Sequence, residues 1–396
     1  MSANRPLVSI IIDNYNYARF LPDAMVSALS QTYPSTEVIV VDDGSTDDSR
    51  SVIASYGARV VAVFQDNAGQ AAALNAGFAR SRGDVVVFLD ADDTLGRDII
   101  AQVVRAFASD PRPALVQYRL AVVGADGSPT VDFRPPMHVA MPTGDLREDL
   151  ASLDNHTGWS PTSGAAYSAA VLRRVLPIPE RTFRLCADEY LTRAAALCGP
   201  VRSLDVVGGT YRLHAANNYA TSRTNAANLQ ATIRRALESH EHLRTLADRL
   251  GVRDFPTRAT DMVNMTFLAY RTASMKLAPA THPIPGETLL EVAFNGAVAA
   301  WKRRDISAPI RALHVIWFAA MLFVPQRLAP RLARAFFYPE TRGRINRLLA
   351  KWKPRRPRAG VSHLSAAPRH PPPYPQASRR EDAADWTSPV FANQRP

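Results

Sequence analysis

Val85-Val86-Val87-Phe88-Leu89-Asp90-Ala91-Asp92-Asp93 is the stretch on which the reading of this chain turns. Five consecutive apolar residues, three of them β-branched, describe a strand buried on both faces. That strand ends in three carboxylates within four positions. A buried strand that carries acids to its C-terminal tip is how an open α/β sheet presents a ligand site. Clustered carboxylates suit hard divalent cations such as Mg²⁺ or Mn²⁺. An isolated pair of this kind is more often a solvated acidic turn, so the meaning of the stretch depends on its neighbours.

The upstream residues repeat the pattern. Residues 7–12, 37–41 and 59–64 read as three further strands, each followed by a polar run. Between them, residues 20–31 and 69–80 and a segment capped at Ser45 or Thr46 and running to about Tyr56 have helical patterning. Short β–α alternation argues for parallel strands joined by right-handed crossovers. The polar runs at 13–17, 42–48, 66–70 and 90–93 then fall along one sheet edge and describe a single crevice.

The glycine pattern excludes two occupants. No G-x-G-x-x-G follows the first strand, and no G-x-x-x-x-G-K-[ST] occurs. The run 42–48 lacks the ligand spacing and closing Glu of an EF-hand. A carboxylate at Asp42 can accept a hydrogen bond from a pyrimidine imide N–H, with Tyr15 stacked on or flanking that base. Asp90 and Asp92 can then hold ribose and a diphosphate, provided a cation lies between acid and phosphate. The chemistry implied is departure of a nucleoside diphosphate.

The first strand with Asn14-Tyr15-Asn16-Tyr17, then Val41-Asp42-Asp43-Gly44-Ser45-Thr46-Asp47, then Phe88-Leu89-Asp90-Ala91-Asp92-Asp93 resemble glycosyltransferase family 2. The spacing of these clusters fits that family too. The resemblance implies an α/β fold of GT-A type: a Rossmann-like mixed sheet with helices on both faces. It implies that Asp42 binds the base of a nucleotide-sugar and that Asp90 and Asp92 form a D-x-D motif, with Asp92 favoured as the direct metal ligand. The implied donor-binding set is Asn14, Tyr15, Asn16, Asp42 and Asp43, joined by Gln70, Asn75, Asp90, Ala91 and Asp92. Many relatives carry Gly-Gly where this chain has Ala68-Gly69.

Downstream, residues 97–109 read as a helix and 114–123 as a longer strand, followed by a hairpin turn at 125–128. Ser163 and Gly164 either lie under the transferred sugar or form a tight turn before a helix at 168–176. Asp188 and Glu189 head the next helical pattern. An inverting sugar transfer needs a carboxylate to take the acceptor hydroxyl proton, whereas an acid here is ordinarily a helix cap. The resemblance favours the base, with Asp188 chosen over Glu189. Tyr211-Arg212-Leu213-His214-Ala215-Ala216-Asn217 is similar to a Tyr-Arg-x-His-x-x-Asn ending of that family, which implies that Arg212 reaches the diphosphate and His214 the metal.

Composition places the remainder. The chain of 396 residues is 46% apolar and has a net charge of +11. Residues 301–396 hold 19 Lys and Arg against five Asp and Glu, while the first 300 residues are slightly acidic. That asymmetry speaks against a nucleic-acid binder and for a basic C-terminal part that meets an anionic membrane surface. Two cysteines and no signal-peptide pattern at the N-terminus fit a cytoplasmic protein, peripheral on the inner membrane face.

Three regions are expected: a catalytic domain over 1–220, helices over 221–350, and a Pro- and Arg-rich disordered tail over 351–396. Helical patterns run over 225–250 and near 257–277 and 287–304. Residues 312–324 are apolar all round but too few to span a bilayer, which takes roughly 20 residues. Beside the Arg-rich 327–337 they either dock at a membrane interface or form a core helix. The expected activity is metal-dependent, inverting transfer from a nucleotide-diphosphate sugar to a hydroxyl of a glycan or lipid-linked acceptor, in cell-surface polysaccharide or glycoconjugate synthesis. The alternatives are a non-catalytic nucleotide-sugar binder and a processive synthase. The processive synthase should show several spans and Gln-x-x-Arg-Trp, and the chain has no Arg-Trp pair.

Overall fold

The computed structural model describes residues 5–109, 112–147, 150, 158–214, 217, 226–253, 255–261, 264–303 and 306–337. The expected tail lies outside the described residues.

Continuous apolar runs make the first strands: β1 (Val8–Asn14), β2 (Thr36–Asp43), β3 (Val61–Gln65) and β4 (Val85–Asp90). They pair in parallel in the order β3-β2-β1-β4. Between them run α1 (Leu21–Leu29), α2 (Ser49–Ser55) and α3 (Gln70–Arg80). β5 (Thr94–Leu95) and α4 (Ile99–Phe107) follow, then β6 (Leu115–Gly124), which forms the expected hairpin with β7 (Pro129–Arg134). β8 (Ala165–Ser168) inserts antiparallel between β4 and β6, and the thirteen-residue β9 (Val201–Leu213) lies parallel to β6 with β5 on its far side. The sheet is therefore mixed, all-parallel only through its first four strands.

Alternation along the strands separates two cores. Ile11, Val86 and Phe88 point to a face covered by α3, α5 (Ala169–Val175) and α6 (Ala187–Cys198). Ile10, Ile12, Val85, Val87 and Leu89 point to the opposite face, covered by α1 and α4. Alanines let α3 lie close to the sheet, and Gly77 shows how close. A Cβ there would come within 2.3 Å of the Ile11 side chain.

The α7 helix (Ala226–Leu250) joins this layer to the C-terminal helices. Its Leu243, Leu246 and Ala247 pack in the first core. Its Leu229 packs in a third, built by α8 (Met265–Leu277), α9 (Leu289–Lys302), α10 (Ala308–Phe323) and α11 (Ala329–Phe337). Asn264 and Thr288 cap α8 and α9 through hydrogen bonds to the amides of Phe267 and Glu291.

Candidate active site

Strand register brings the polar tips together. Asn14 stands opposite Asp42 across β1 and β2, Asp13 opposite Asp90 across β1 and β4, and Asp43 opposite Gln65 across β2 and β3. The Asn14 side chain donates to Asp42 Oδ2 (3.0 Å) and Ser45 Oγ (3.1 Å). Asp42 is fully buried and also accepts from the Ser45 amide and from Arg50 Nε. Arg50 in turn lies over the ring of the half-exposed Phe64. Asn16, whose positive φ of 57° suits Asn, ties the first tip to the second by accepting from the Thr46 amide and donating to Ser45. Tyr15 beside it is 47% exposed. Asp43 accepts from Gln65 and from the Ala68 and Gly69 amides, so it shapes the loop into α3. Despite the Ala68-Gly69 departure, that loop is fully tied.

Beyond β4 the acids are held by partners far away in sequence. Asp93, which sequence reasoning leaves without a role, accepts from Ser163 Oγ (2.7 Å) and from the Arg212 amide (2.9 Å). The Asp90 amide donates back to Ser163 Oγ. Ser163 and Gly164 are buried, so this hydroxyl braces the acids from beneath. Arg212 is buried as well. It donates to the Asp92 carbonyl (2.9 Å) and to Asp23 (2.8 Å), and its guanidinium stacks over Phe20. His214 Nε2 lies 2.9 Å from Asp92 Oδ2, its ring stacked on Phe20 and edge-on to Tyr17, and Asn217 donates to the same oxygen. The Ala91 amide bonds to the Asp13 carbonyl.

One side chain links this cluster to the next element. Gln70 Nε2 donates to Asp90 Oδ1 (2.9 Å), and its Oε1 accepts from the Ala187 amide (3.1 Å) at the head of α6. The acceptor side is fixed by chemistry, since a backbone N–H can only donate. Asp188 follows immediately and is near enough for its charge to act on Asp90. The Glu189 carboxylate lies 3.9 Å from Arg235 of α7. Asn75 lies further along α3, and its amide is engaged by Ile178 and Glu180 on the loop before α6.

Burial, and for three of them the neighbouring carboxylates, shifts four carboxyls upward. Burial and then the charge of Asp92 push Asp13 to about 7. Asp90 is held well above the usual carboxylate range by burial and then by Asp13, Asp93, Asp92 and Asp188. Burial followed by Asp92 does the same to Asp93. Asp92 is raised by burial against the opposing hydrogen bond of His214. Asp13 is the member that sequence reasoning passed over, because a single acid at a strand end looks like any polar tip. Its Oδ1, and Oδ1 of neighbouring Asn14, are buried without a hydrogen-bond partner. Single carboxylate oxygens of Asp90, Asp92 and Asp93 converge within 4.8 Å. Excess negative charge, orphaned oxygen acceptors and converging carboxylates together fit a hard divalent cation.

Comparisons with known proteins identify the family. The domain model of glycosyl transferase family 2 matches residues 9–175. An uncharacterized glycosyltransferase of Nostoc sp. is 35% identical over 253 residues, which make up 62% of this chain and 76% of that protein. A Bacillus subtilis protein provisionally named teichuronic acid biosynthesis glycosyltransferase TuaG is 33% identical over 133 residues, 33% of this chain and 52% of that one. Among solved structures, S. aureus TarS 1–349 in complex with UDP-GlcNAc aligns over 83% of this chain and 91% of that one, with 14% identity and a TM-score of 0.49. With the Nostoc relative matched at that identity over most of its length, the chain is a transferase and belongs to glycosyltransferase family 2.

Proposed function

We propose that the crevice binds a nucleotide-diphosphate sugar and transfers its sugar, with inversion, to a hydroxyl of a glycan or lipid-linked acceptor in polysaccharide or glycoconjugate synthesis. The observation that supports this best is the Gln70 bridge, which joins the acid tip of β4 to the head of α6. It supports a reading in which a donor wall and a separate carboxylate, Asp188, share one edge of the sheet.

In this reading Asn14, Tyr15, Asn16 and Asp42 form the base and ribose end. Asp90 and Asp92 would hold Mg²⁺ or Mn²⁺, which when bound would neutralise the diphosphate and so stabilise it as a leaving group. Asp93, Ser163 and Arg212 brace those acids. His214, bonded to Asp92, sets that carboxyl's orientation and completes the metal end. As the acceptor oxygen attacks the anomeric carbon, the bond to the diphosphate breaks and its electron pair leaves with the nucleotide. Asp188 accepts the acceptor's proton. Glu189 is the weaker choice for base, because its carboxylate is directed at Arg235.

Asp188→Asn tests the assignment. It should lower kcat by about 10²–10⁴-fold while nucleotide-sugars still raise the melting temperature. Transfer within a few-fold of wild type would remove Asp188 from the role.

A further inference from the structure

Within residues 312–324, α10 has one buried face and one exposed face. Trp317, Phe318 and Met321 are buried, with Phe318 packed against Gly296 of α9. On its outer side Ile316 is 62% and Phe323 84% exposed. The neighbouring α9 repeats this: Val292, Ala293 and Ala300 are buried, whereas Leu290, Phe294 and Trp301 are each more than 60% exposed. At about 100° per residue these three side chains fall within a 40° arc, and Ile316 and Phe323 lie two turns apart on one stripe. The helices run antiparallel, with Gly296 meeting Phe318 and Trp301 lying beside Arg311. Two solvent-facing apolar stripes therefore occupy one hairpin.

The charge around them is mostly positive, although α9 itself carries one exposed acid, Glu291, against Lys302. Residues 301–337 contain seven Lys and Arg and a single acid, Asp305. The Arg311 guanidinium sits 5.7 Å from the centre of the Trp301 ring. Arg327, Arg331 and Arg334 are exposed just beyond Phe323. Among the described residues no helix is long and apolar enough to cross a bilayer. Aromatic and aliphatic side chains exposed on a helical face and rimmed by arginines match the headgroup layer of an anionic bilayer, where the rings enter the acyl boundary and the cations meet phosphates.

We infer that the α9–α10 hairpin is a docking face for an anionic phospholipid surface. This inference is independent of the chemistry assigned to the crevice. Its test is flotation of the full chain with phosphatidylglycerol–phosphatidylcholine vesicles and with pure phosphatidylcholine vesicles. Binding is expected on the anionic vesicles, weakened by salt, and absent on the neutral ones. The exposed-residue triple variant Leu290→Ser/Phe294→Ser/Phe323→Ser should bind on the order of tenfold or more weaker, with an unchanged melting temperature. If that variant melts early, Phe323→Ser alone serves, together with a vesicle-induced tryptophan blue shift that disappears in Trp301→Phe. Three results would overturn the inference: no binding by the wild-type chain, full binding by a folded variant, or a wild-type dimer that the substitutions disperse.

Discussion

The tip of β4 and the α9–α10 hairpin break the ordinary rule of burial in opposite directions. One buries the carboxyls of Asp92 and Asp93 and half-buries Asp13 and Asp90; the other leaves Phe294, Trp301 and Phe323 in water. Either exception is costly for a chain on its own. They also differ in construction. The acid cluster is stitched by hydrogen bonds from Ser163, Arg212, His214 and Gln70, partners drawn from across the fold. The hairpin is held mainly by apolar packing of its inner face, with a few hydrogen bonds such as that from Arg311 to the Arg303 carbonyl. A fixed geometry belongs where bonds are made and broken, and an open apolar stripe where a broad, fluid surface is met.

The largest expected effect is on the acid side. Asp92→Asn should reduce transfer by about 10²–10³-fold, and chelation of divalent ions should reduce wild-type turnover comparably. Near-normal turnover in either case would separate the acid cluster from the leaving diphosphate. On the hairpin, two phenylalanines of one helix make an internal control. Phe318→Ala should cost about 3–5 kcal/mol of stability, whereas Phe323→Ser should stay within about 0.5 kcal/mol. Equal losses in chemical denaturation would show that the outer face is part of the core.

Gln70→Glu should lower kcat by roughly 10–100-fold with a smaller change in donor affinity, as expected for lost positioning. An unchanged kcat would mean that the bridge does not align the two elements. The smallest effect is expected at Glu189→Gln. A partly exposed pair such as Glu189–Arg235 is worth about 0–1 kcal/mol, so activity should remain within about threefold of wild type. A collapse of activity there would shift the base from Asp188 to its neighbour.

How far these features can be read from sequence depends on their range. The strands ending at Asn14, Asp43 and Asp90 are legible because central parallel strands are unbroken apolar runs, and the exposed edge strand ending at Gln65 keeps such a run without that burial; their polar tips share an edge once the connections are short. The four-residue β8 has no period to detect, yet it separates β4 from β6 and makes the sheet mixed. The brace between Asp93, Ser163 and Arg212 joins positions 70 and 119 apart, and nothing local announces it. Asn75 is a polar residue near the motif in sequence, but in space it fastens α3 to Ile178 and Glu180. Residues 312–324 are hydrophobic on every side, so their pattern alone cannot say which side meets the core.

Gln70 also changes what counts as a conservative replacement. Its amide presents one lone-pair end to a backbone N–H and one donor end to a carboxylate. Glutamate has nearly the same shape but loses the donor and adds a like charge beside Asp90. Lysine and arginine lose the acceptor, and asparagine has the right polarity on too short a stem. Shape, polarity and reach are each available elsewhere among the amino acids, but position 70 asks for all three in one residue. It is a keyed coupling between the tip of β4 and the head of α6, made by one side chain.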